Sequence, residues 1–279
     1  MSINPSIFVA FTLLLASAAV QSTEVSSPRL YVLDCGSLVF NDVSAFGLSN
    51  SETEVREMVV PCYLIRHGKS LLLWDAGLDP LIAGQGAVTL QPGAEMTYVT
   101  SIVDQLAMIG VTPQDVDLIA LSHMHFDHTG AANYFPNAKL LIQQTEYQAA
   151  FVEHEKNPVF DYKSYSKLAD QPIKQLDGDY DVFGDGSVKI LSAPGHTPGH
   201  QVLFVRLKST GPVILGGDLY HFRFSRAHRR IPIFNTSPEE TLASMERIET
   251  LTTELGATFW IEHDRALART LNFAPSYYE

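Results

Sequence analysis

Four residues with metal-binding side chains stand within six positions in the middle of the chain, in the pattern H-x-H-x-D-H: His123, His125, Asp127 and His128. They follow an apolar run at 118–121. Imidazole and carboxylate groups are the ligands that zinc and the neighbouring divalent first-row metals accept. A hydrophobic core has no use for so many of these groups together. The segment therefore predicts a hydrolytic metal site.

Two features of the sequence predict a second ion. One is the direction in which these side chains point, and the other is the set of metal-binding residues that follow later apolar runs. An extended backbone turns alternate side chains the same way, so His123, His125 and Asp127 are expected to point together, and His128 can serve another ion. Two ions need more than four ligands. The remainder of the chain supplies candidates: His196 in APGHTPGH, Asp218 after LGG, and His263 after WIE.

Short apolar runs predict the buried strands that would carry these ligands. The predicted strands are 30–33, 59–65, 70–74, 116–121, 139–142, 188–191, 202–205, 213–215 and 258–261. Apolar residues at helical spacing predict helices over 97–109 and 145–151, and a third helix from the cap at Ser237 to Gly256. Segment 40–57 shows no clear period and is expected to be a long surface loop. The candidate ligands therefore fall at the ends of strands.

Composition and charge restrict the class of protein. The 279 residues are 46% hydrophobic and 18% charged, which is typical of a globular protein. The net charge of −12 disfavours a nucleic-acid partner, because phosphate binding needs a basic surface. Cys35 and Cys62 are the only cysteines in the sequence. They can pair, or they can pack as two buried thiols.

The N-terminus predicts export. Residues 7–19 form an uncharged apolar run that is too short to span a membrane but matches a secretory signal. We assign residues 1–22 to a signal peptide and 23–279 to the mature domain, with a periplasmic or extracellular location and no stable membrane association. The segment before the run lacks Lys and Arg, so a frayed or membrane-anchoring N-terminus remains the alternative.

The motif order H-x-H-x-D-H, G-H-T-P-G-H, G-G-D and a late H-D resembles the metallo-β-lactamase fold family from about residue 30 to the C-terminus. The resemblance implies an αββα sandwich with two divalent metal ions, for which zinc is the default. It makes one ligand set of His123, His125 and His196, and another of Asp127, His128 and His263. Asp218 would bridge the two ions, and Asp75 would brace the site. His200 would support the loop around His196 without binding metal.

Within this family, the segments PCYL, WDAG, GHTPGHQ and EHD are most similar to the N-acyl-homoserine lactonases, the quorum-quenching hydrolases. No cysteine lies near a ligand motif, which disfavours a β-lactam substrate. Only 16 residues follow His263, which disfavours a glyoxalase II. The alternatives are another ester, lactone or thioester hydrolase, such as a 4-pyridoxolactonase-like or glyoxalase II-like enzyme, and a non-catalytic protein that binds metal or a ligand.

The lactonase resemblance also implies catalytic roles. Hydroxide held by the metals would attack the lactone carbonyl, and Asp127 would pass a proton to the leaving alkoxide. Lactonases often have a tyrosine three residues after the bridging aspartate. Here Tyr220 stands at the second position and His221 at the third, so either residue can take the role of contacting the substrate. The loop around Phe40 and Phe46 could cover an acyl chain.

Overall fold

The computed structural model describes residue 1 and the segments 27–157 and 159–279. The proposed signal peptide and its boundary with the mature domain lie outside the described residues, except for residue 1. Among the described residues, no helix combines the length and the apolar character needed to cross a membrane.

Thirteen strands in the described segments form two sheets. The larger sheet has the order β4-β5-β1-β2-β3-β6-β7-β8 and the smaller one β13-β12-β11-β10-β9. The strands are β1 Arg29–Phe40, β2 Glu57–His67, β3 Ser70–Trp74, β4 Ala87–Gln91, β5 Ala94–Thr97, β6 Leu118–Ala120, β7 Lys139–Gln143, β8 Ile173–Leu176, β9 Tyr180–Asp181, β10 Val188–Ser192, β11 Gln201–Leu207, β12 Gly211–Leu215 and β13 Thr258–Trp260. Strands β3, β6, β7 and β8 run parallel, as do β12 and β13. Within each sheet, the carboxyl ends of these parallel strands therefore lie at the same edge.

The helices are mostly short. They are α1 Ile102–Met108, α2 Phe126–Thr129, α3 Gln144–Tyr147, α4 Tyr162–Tyr165, α5 Arg223–His228, α6 Pro238–Glu254 and α7 Arg265–Ala268. Helix α6 begins where predicted, because the Ser237 side chain accepts a hydrogen bond from the Glu240 amide and Pro238 occupies the first turn. A π-helical turn, Gln148–Val152, continues α3. Several 3-10 turns join these elements, including Ser44–Phe46 and Gly217–Leu219.

Three apolar layers hold the sheets and helices together. Val32 and Trp74 of the larger sheet pack against Val205 and Leu215 of the smaller one. The outer face of the larger sheet packs on α1, and the outer face of the smaller sheet packs on α6. This arrangement of helix, sheet, sheet and helix confirms the predicted αββα sandwich. Because each sheet packs against the other sheet on one face and against helices on its outer face, both faces of its central strands are buried. This burial explains why these strands appear in the sequence as short apolar runs.

Segment 87–109 differs from the prediction. The hairpin β4–β5 was not predicted, and α1 begins only at Ile102, after the Ser101 side chain accepts a hydrogen bond from the Asp104 amide. Strand β1 is longer than its apolar run, because its later residues continue to pair with β2 and, from Ser37, also with β5. Its pairing with β2 shifts between Asp34 and Ser37. Gly36 lies in that irregularity at a φ of 124°, which a side chain would rarely adopt. Local irregularity of this kind leaves little signal in an apolar pattern.

Cys35 of β1 and Cys62 of β2 form a disulfide. Of the two alternatives that the sequence left open, the structure shows the paired one. A Cβ atom on Gly77 would lie 2.2 Å from the Cys35 Cβ and 2.9 Å from the Cys62 Sγ. The disulfide therefore packs directly under the loop that follows β3, and this loop carries Asp75.

Candidate metal centre

The first group of candidate ligands converges from three loops. Nε2 of His196 lies 3.1 Å from Nε2 of His123 and 3.1 Å from Nδ1 of His125. Oδ2 of Asp218 lies 3.2 Å from the same His196 nitrogen. All four side chains are buried, and their ligand atoms lie within 4.8 Å of one another. Three imidazole nitrogens and one carboxylate oxygen thus surround a single point.

The second group lies on the other side of Asp218. It consists of Asp127, His128 and His263. Oδ1 of Asp218 is 2.8 Å from Nε2 of His263 and 3.4 Å from Nε2 of His128, while Oδ2 of Asp127 is 3.8 Å from the same His128 nitrogen. Asp218 therefore turns one carboxylate oxygen towards each group, which is the arrangement of a bridging ligand.

The residues present fit two divalent cations. Nε2 of His128, Nε2 of His263 and Oδ1 of Asp218 are buried and have no hydrogen bond of normal geometry within the described part of the chain. Buried polar atoms without partners are costly, and a cation at this point would satisfy all three. The donor set of imidazole nitrogens and carboxylate oxygens suits zinc and its first-row neighbours. The ligand roles remain predictions that this geometry supports.

Strand ends and one helix position these groups. The backbone leaves β6 at Ala120, bends at Ser122 and reaches His125, which occupies the N-cap position of α2. Asp127 and His128 lie inside α2, so the expectation that Asp127 points with His123 and His125 by strand alternation is wrong. The helical turn carries Asp127 and His128 to the second group instead. The side chains cluster in the same two groups that the family resemblance implied, and their roles as metal ligands stay predictions.

Among the described residues, each imidazole of the two ligand groups except that of His125 has a partner on its other ring nitrogen. Nδ1 of His128 is 3.1 Å from Oδ2 of Asp75, and Nδ1 of His196 is 2.9 Å from Oδ1 of Asn235. His263 donates from Nδ1 to the Val59 carbonyl at 2.7 Å. Nδ1 of His123 is 3.0 Å from the Ser122 hydroxyl. Such partners fix the tautomer and direct Nε2 at the predicted metal position.

Burial and charge leave the first group of candidate ligands ready to bind a cation, whereas in the second group nearby carboxylates, that of Asp218 first, outweigh burial and raise the pKa of His128 and of His263. Burial holds the pKa of His123 and of His125 well below the usual range, so both imidazoles are neutral and offer a lone pair. Burial alone would raise the pKa of Asp218, but His221, His263 and His128 outweigh it and hold that pKa well below the ordinary value. The bridging carboxylate is therefore ionised.

His200 lies where the sequence placed it, beside the ligands but not among them. It donates from Nδ1 to the Ala193 carbonyl at 3.0 Å and accepts from the Asp218 amide at Nε2, also at 3.0 Å. Burial lowers the pKa of His200 to about 3, so the ring stays neutral and Nε2 stays an acceptor. His200 thereby holds the backbone of the bridging aspartate in place.

The structure separates the two candidates for substrate contact. Nε2 of His221 lies 3.1 Å from Oδ2 of Asp218, and its ring stacks on that of His263 with centroids 5.6 Å apart. Tyr220 turns the opposite way, and its ring packs against Phe259 at 5.6 Å. This packing favours His221 over Tyr220 for the substrate contact that the sequence left open to both, and the catalytic role itself stays a prediction. His221 alone remains next to the predicted metals.

Aromatic side chains from three loops surround the first ligand group. The ring centroid of Phe46 lies 5.0 Å from that of His221, Phe234 lies 5.7 Å from His196, and Phe160 lies 5.8 Å from His125. Phe40 stacks edge-on against Phe46 at 5.2 Å. Apolar rings therefore lie beside the candidate ligands. Phe46 is itself buried in the core with Phe40 packed against it, and the role of their loop in covering an acyl chain stays a prediction. A cavity of about 480 Å³ borders His221 and His263 from the other side.

The basic segment 223–230 is largely neutralised by ion pairs. Arg226 donates two hydrogen bonds to the carboxylate of Glu249, at 2.7 and 2.8 Å. Arg223 pairs with Asp264, and Arg230 pairs with Glu52 across the loop 40–57. These contacts favour a structural role for the arginines over a dedicated binding surface.

Sequence reasoning missed several buried groups around the ligands. Asn235 holds His196 and Ser122 holds His123, and neither stands in a recognisable motif. Glu146 is buried between two ligand loops, and Glu262 is buried beside Asp75 and His128. Burial, and then the nearby Asp75, raises the pKa of Glu262 well above its usual value. A carboxylate inside an apolar run, as in WIEHD, was the only signal that could have pointed to Glu262.

Comparisons with known proteins agree with this geometry. A family model described as the metallo-beta-lactamase superfamily matches residues 55–255. The chain is 32% identical over 264 residues to an N-acyl homoserine lactonase AttM of Azorhizobium caulinodans, covering 90% of this chain and 98% of that protein. It is 28% identical to the N-acyl homoserine lactonase AiiA of Bacillus thuringiensis subsp. kurstaki over 89% of this chain and 98% of the relative. A solved N-acyl homoserine lactone hydrolase with the product N-hexanoyl-L-homoserine at its catalytic metal centre superposes with a TM-score of 0.76 at 25% identity, covering 91% of this chain and 99% of the other.

Proposed function

This chain belongs to the metallo-beta-lactamase superfamily, and we propose that it is a metal-dependent N-acyl homoserine lactonase. The observation that carries the proposal is the bridging position of Asp218 between two buried ligand groups, in a chain that matches lactonases over about nine-tenths of both lengths. The reaction opens the lactone ring by hydrolysis of its carboxylic ester bond.

We propose that the cofactors are two zinc ions. His123, His125 and His196 would hold one ion, Asp127, His128 and His263 the other, and Asp218 both. When bound, such a pair lowers the pKa of a water molecule from about 15.7 towards 7 and polarises a carbonyl oxygen. The nucleophile and the electrophile are thus activated at one point, which suits hydrolysis at neutral pH.

The chain's own residues would then orient the lactone and move its proton. His221 is held beside Asp218, where it can donate from a ring nitrogen to the substrate's carbonyl oxygen. Asp127 turns Oδ2 towards His128 and His263, and its carboxylate can take up the proton that the attacking water loses and pass it to the ring oxygen as the ester bond breaks. Phe46, Phe160 and Phe234 offer apolar surface to an acyl chain and exclude water.

We further propose export, with residues 1–22 as a signal peptide and a mature domain from residue 23 to the C-terminus. The apolar run at 7–19 and the Cys35–Cys62 disulfide support this location, because disulfides persist in oxidising compartments. The C-terminus closes on the start of the fold, since Leu30 and Tyr278 exchange backbone hydrogen bonds. N-terminal sequencing of the protein recovered from culture medium or periplasm tests the assignment.

The function is tested by hydrolysis of N-acyl homoserine lactones of graded chain length, beside aryl esters, S-acyl glutathione and 4-pyridoxolactone, on protein of measured metal content. We expect the acyl homoserine lactones to give the highest kcat/KM. Asp218→Ala is expected to lose metal and activity together. Full turnover by this variant without metal would refute the mechanism. A higher kcat/KM on another ester would assign the same site to a different substrate, and two tightly held metals without any hydrolysis would indicate a binding protein.

A further inference from the structure

We propose that Glu146 is a positioning residue that holds together the two loops carrying His123, His125 and His196. The inference rests on the metal centre described under the proposed function. The first loop contains His123 and His125, and the second contains His196. No ligand role is assigned to Glu146 itself.

The side chain of Glu146 joins the two loops directly. Its Oε1 accepts a hydrogen bond from the Met124 amide at 3.0 Å, and its Oε2 accepts one from the Gly199 amide at 2.8 Å. Met124 stands between His123 and His125, and Gly199 stands three residues after His196. Glu146 is only 1% exposed, so water cannot replace these contacts.

The surroundings of Glu146 are built for this contact. A Cβ atom on Gly199 would lie 2.5 Å from the Glu146 nitrogen and 2.6 Å from its Cβ, so only a glycine allows the second loop to come this close. The neighbouring Thr145 hydroxyl donates to the Pro198 carbonyl at 2.9 Å, which gives α3 a second bond to the same loop. Glutamine would offer one acceptor oxygen where two amides donate, and aspartate is one methylene shorter.

The three histidines converge across the gap that Glu146 spans. Nε2 of His196 is 3.1 Å from a nitrogen of each of the other two, and a small separation of the loops would spoil this geometry. The second ligand group has no hydrogen bond to Glu146 in the described segments. Gln201 also ties β11 to the end of β6, through the carbonyls of Leu121 and Ser122, and this tie would keep the fold intact without Glu146. The loss of Glu146 should therefore weaken the binding of the ion held by His123, His125 and His196 more than the binding of the other ion.

The test compares Glu146→Gln with Gln105→Met as a matched control. Gln105 is also buried and also ties two segments, through the backbone of Asp34 and the Thr100 carbonyl, but it touches no candidate ligand. Both variants should lower the unfolding midpoint of the metal-free protein. Only Glu146→Gln is expected to weaken the binding of one of the two ions, by about 10- to 100-fold as measured in competition with a chelator. Changes to other groups that orient metal ligands have effects of this size. Excess metal should restore the kcat of Glu146→Gln, with KM unchanged.

Thr145→Val provides a second variant if Glu146→Gln does not fold. Thr145 is exposed, and the variant removes only one bond to the loop of His196, so a smaller weakening of the same ion is expected. Unchanged affinity for both ions in Glu146→Gln, or equal weakening of both, would overturn the proposal. The metal readout separates this outcome from a failure of the proposed function, which would appear as wild-type protein with two ions and no lactone hydrolysis.

Discussion

Replacing Asp75 by asparagine tests how the second ligand group is held. Oδ2 of Asp75 lies 3.1 Å from Nδ1 of His128, and Oδ1 accepts from the Ser122 amide at 2.6 Å. Asp75 has a φ of 57°, a left-handed conformation that asparagine tolerates and alanine does not favour. The asparagine variant therefore changes the hydrogen bonding and leaves the backbone unstrained.

The magnitude follows from the tautomer of His128. The asparagine oxygen must stay with the Ser122 amide, which places the side-chain NH₂ against Nδ1 of His128. That nitrogen must then be an acceptor, so the proton moves to Nε2, the atom that faces the predicted metal. Outer-shell changes of this kind cost about 10- to 100-fold in metal affinity. We expect the upper end of this range, which corresponds to about 2.7 kcal/mol.

The assay is zinc titration of the metal-free protein in competition with a chelator, with lactone hydrolysis measured on the same samples. Asp117→Asn is the matched control, because Asp117 also accepts a backbone hydrogen bond, from Leu71 at 2.8 Å, but has no histidine partner in the described structure. The control should bind two ions like the wild type. Wild-type affinity at both sites in Asp75→Asn would refute the argument from the tautomer.

Three further predictions concern other parts of the molecule. His221→Ala should lower kcat/KM about 100-fold in the lactone assay with metal content unchanged, since it removes a donor next to the reacting group, whereas an unchanged kcat/KM would exclude it from catalysis. Reduction of the Cys35–Cys62 disulfide, whose partners are 27 residues apart, should lower the free energy of unfolding in urea by about 3 to 4 kcal/mol, and equal stability with and without reductant would contradict this. Hydrogen bonds from Arg226 lower the pKa of Glu249 below its ordinary value of 4.5. Glu249→Gln should therefore be less stable than the wild type above pH 4.5, and this difference in the free energy of unfolding should disappear as the pH falls through the lowered pKa. A difference that grows on acidification would refute the assignment.

Much of the fold and of the candidate site could be predicted because the relevant signals are local. The cap at Ser237 and the apolar run before His123 predict a helix and a strand end, and both occur as expected. The resemblance to the metallo-β-lactamase fold and to the lactonases is confirmed by the layers of the sandwich and by the relatives. The grouping of His196 with His123 was implied by motif order, and the structure brings the two within 3.1 Å.

Other features could not be read locally. Whether Tyr220 or His221 faces the predicted metals depends on the backbone after Asp218. A 3-10 turn there directs the Tyr220 side chain to Phe259 and the His221 side chain to Asp218. The hairpin β4–β5 is stabilised by its pairing with β1, and its own residues are mostly half-exposed. Long-range pairing overrides the weak propensity of such segments.

The sequence by itself determined the chemical types of the ligands and the strands that end beside them, because ligand chemistry belongs to individual side chains and an apolar run belongs to one segment. The family resemblance pointed to Asp75, but the tertiary structure alone decided that Glu146 and Asn235 also hold those ligands in place. These two residues act across gaps of 22 to 53 residues, and their value depends on distances of about 3 Å that exist only once separate loops have packed together. A hydrogen bond between distant segments does not affect the spacing of residue types within either segment, so the sequence pattern does not reveal it.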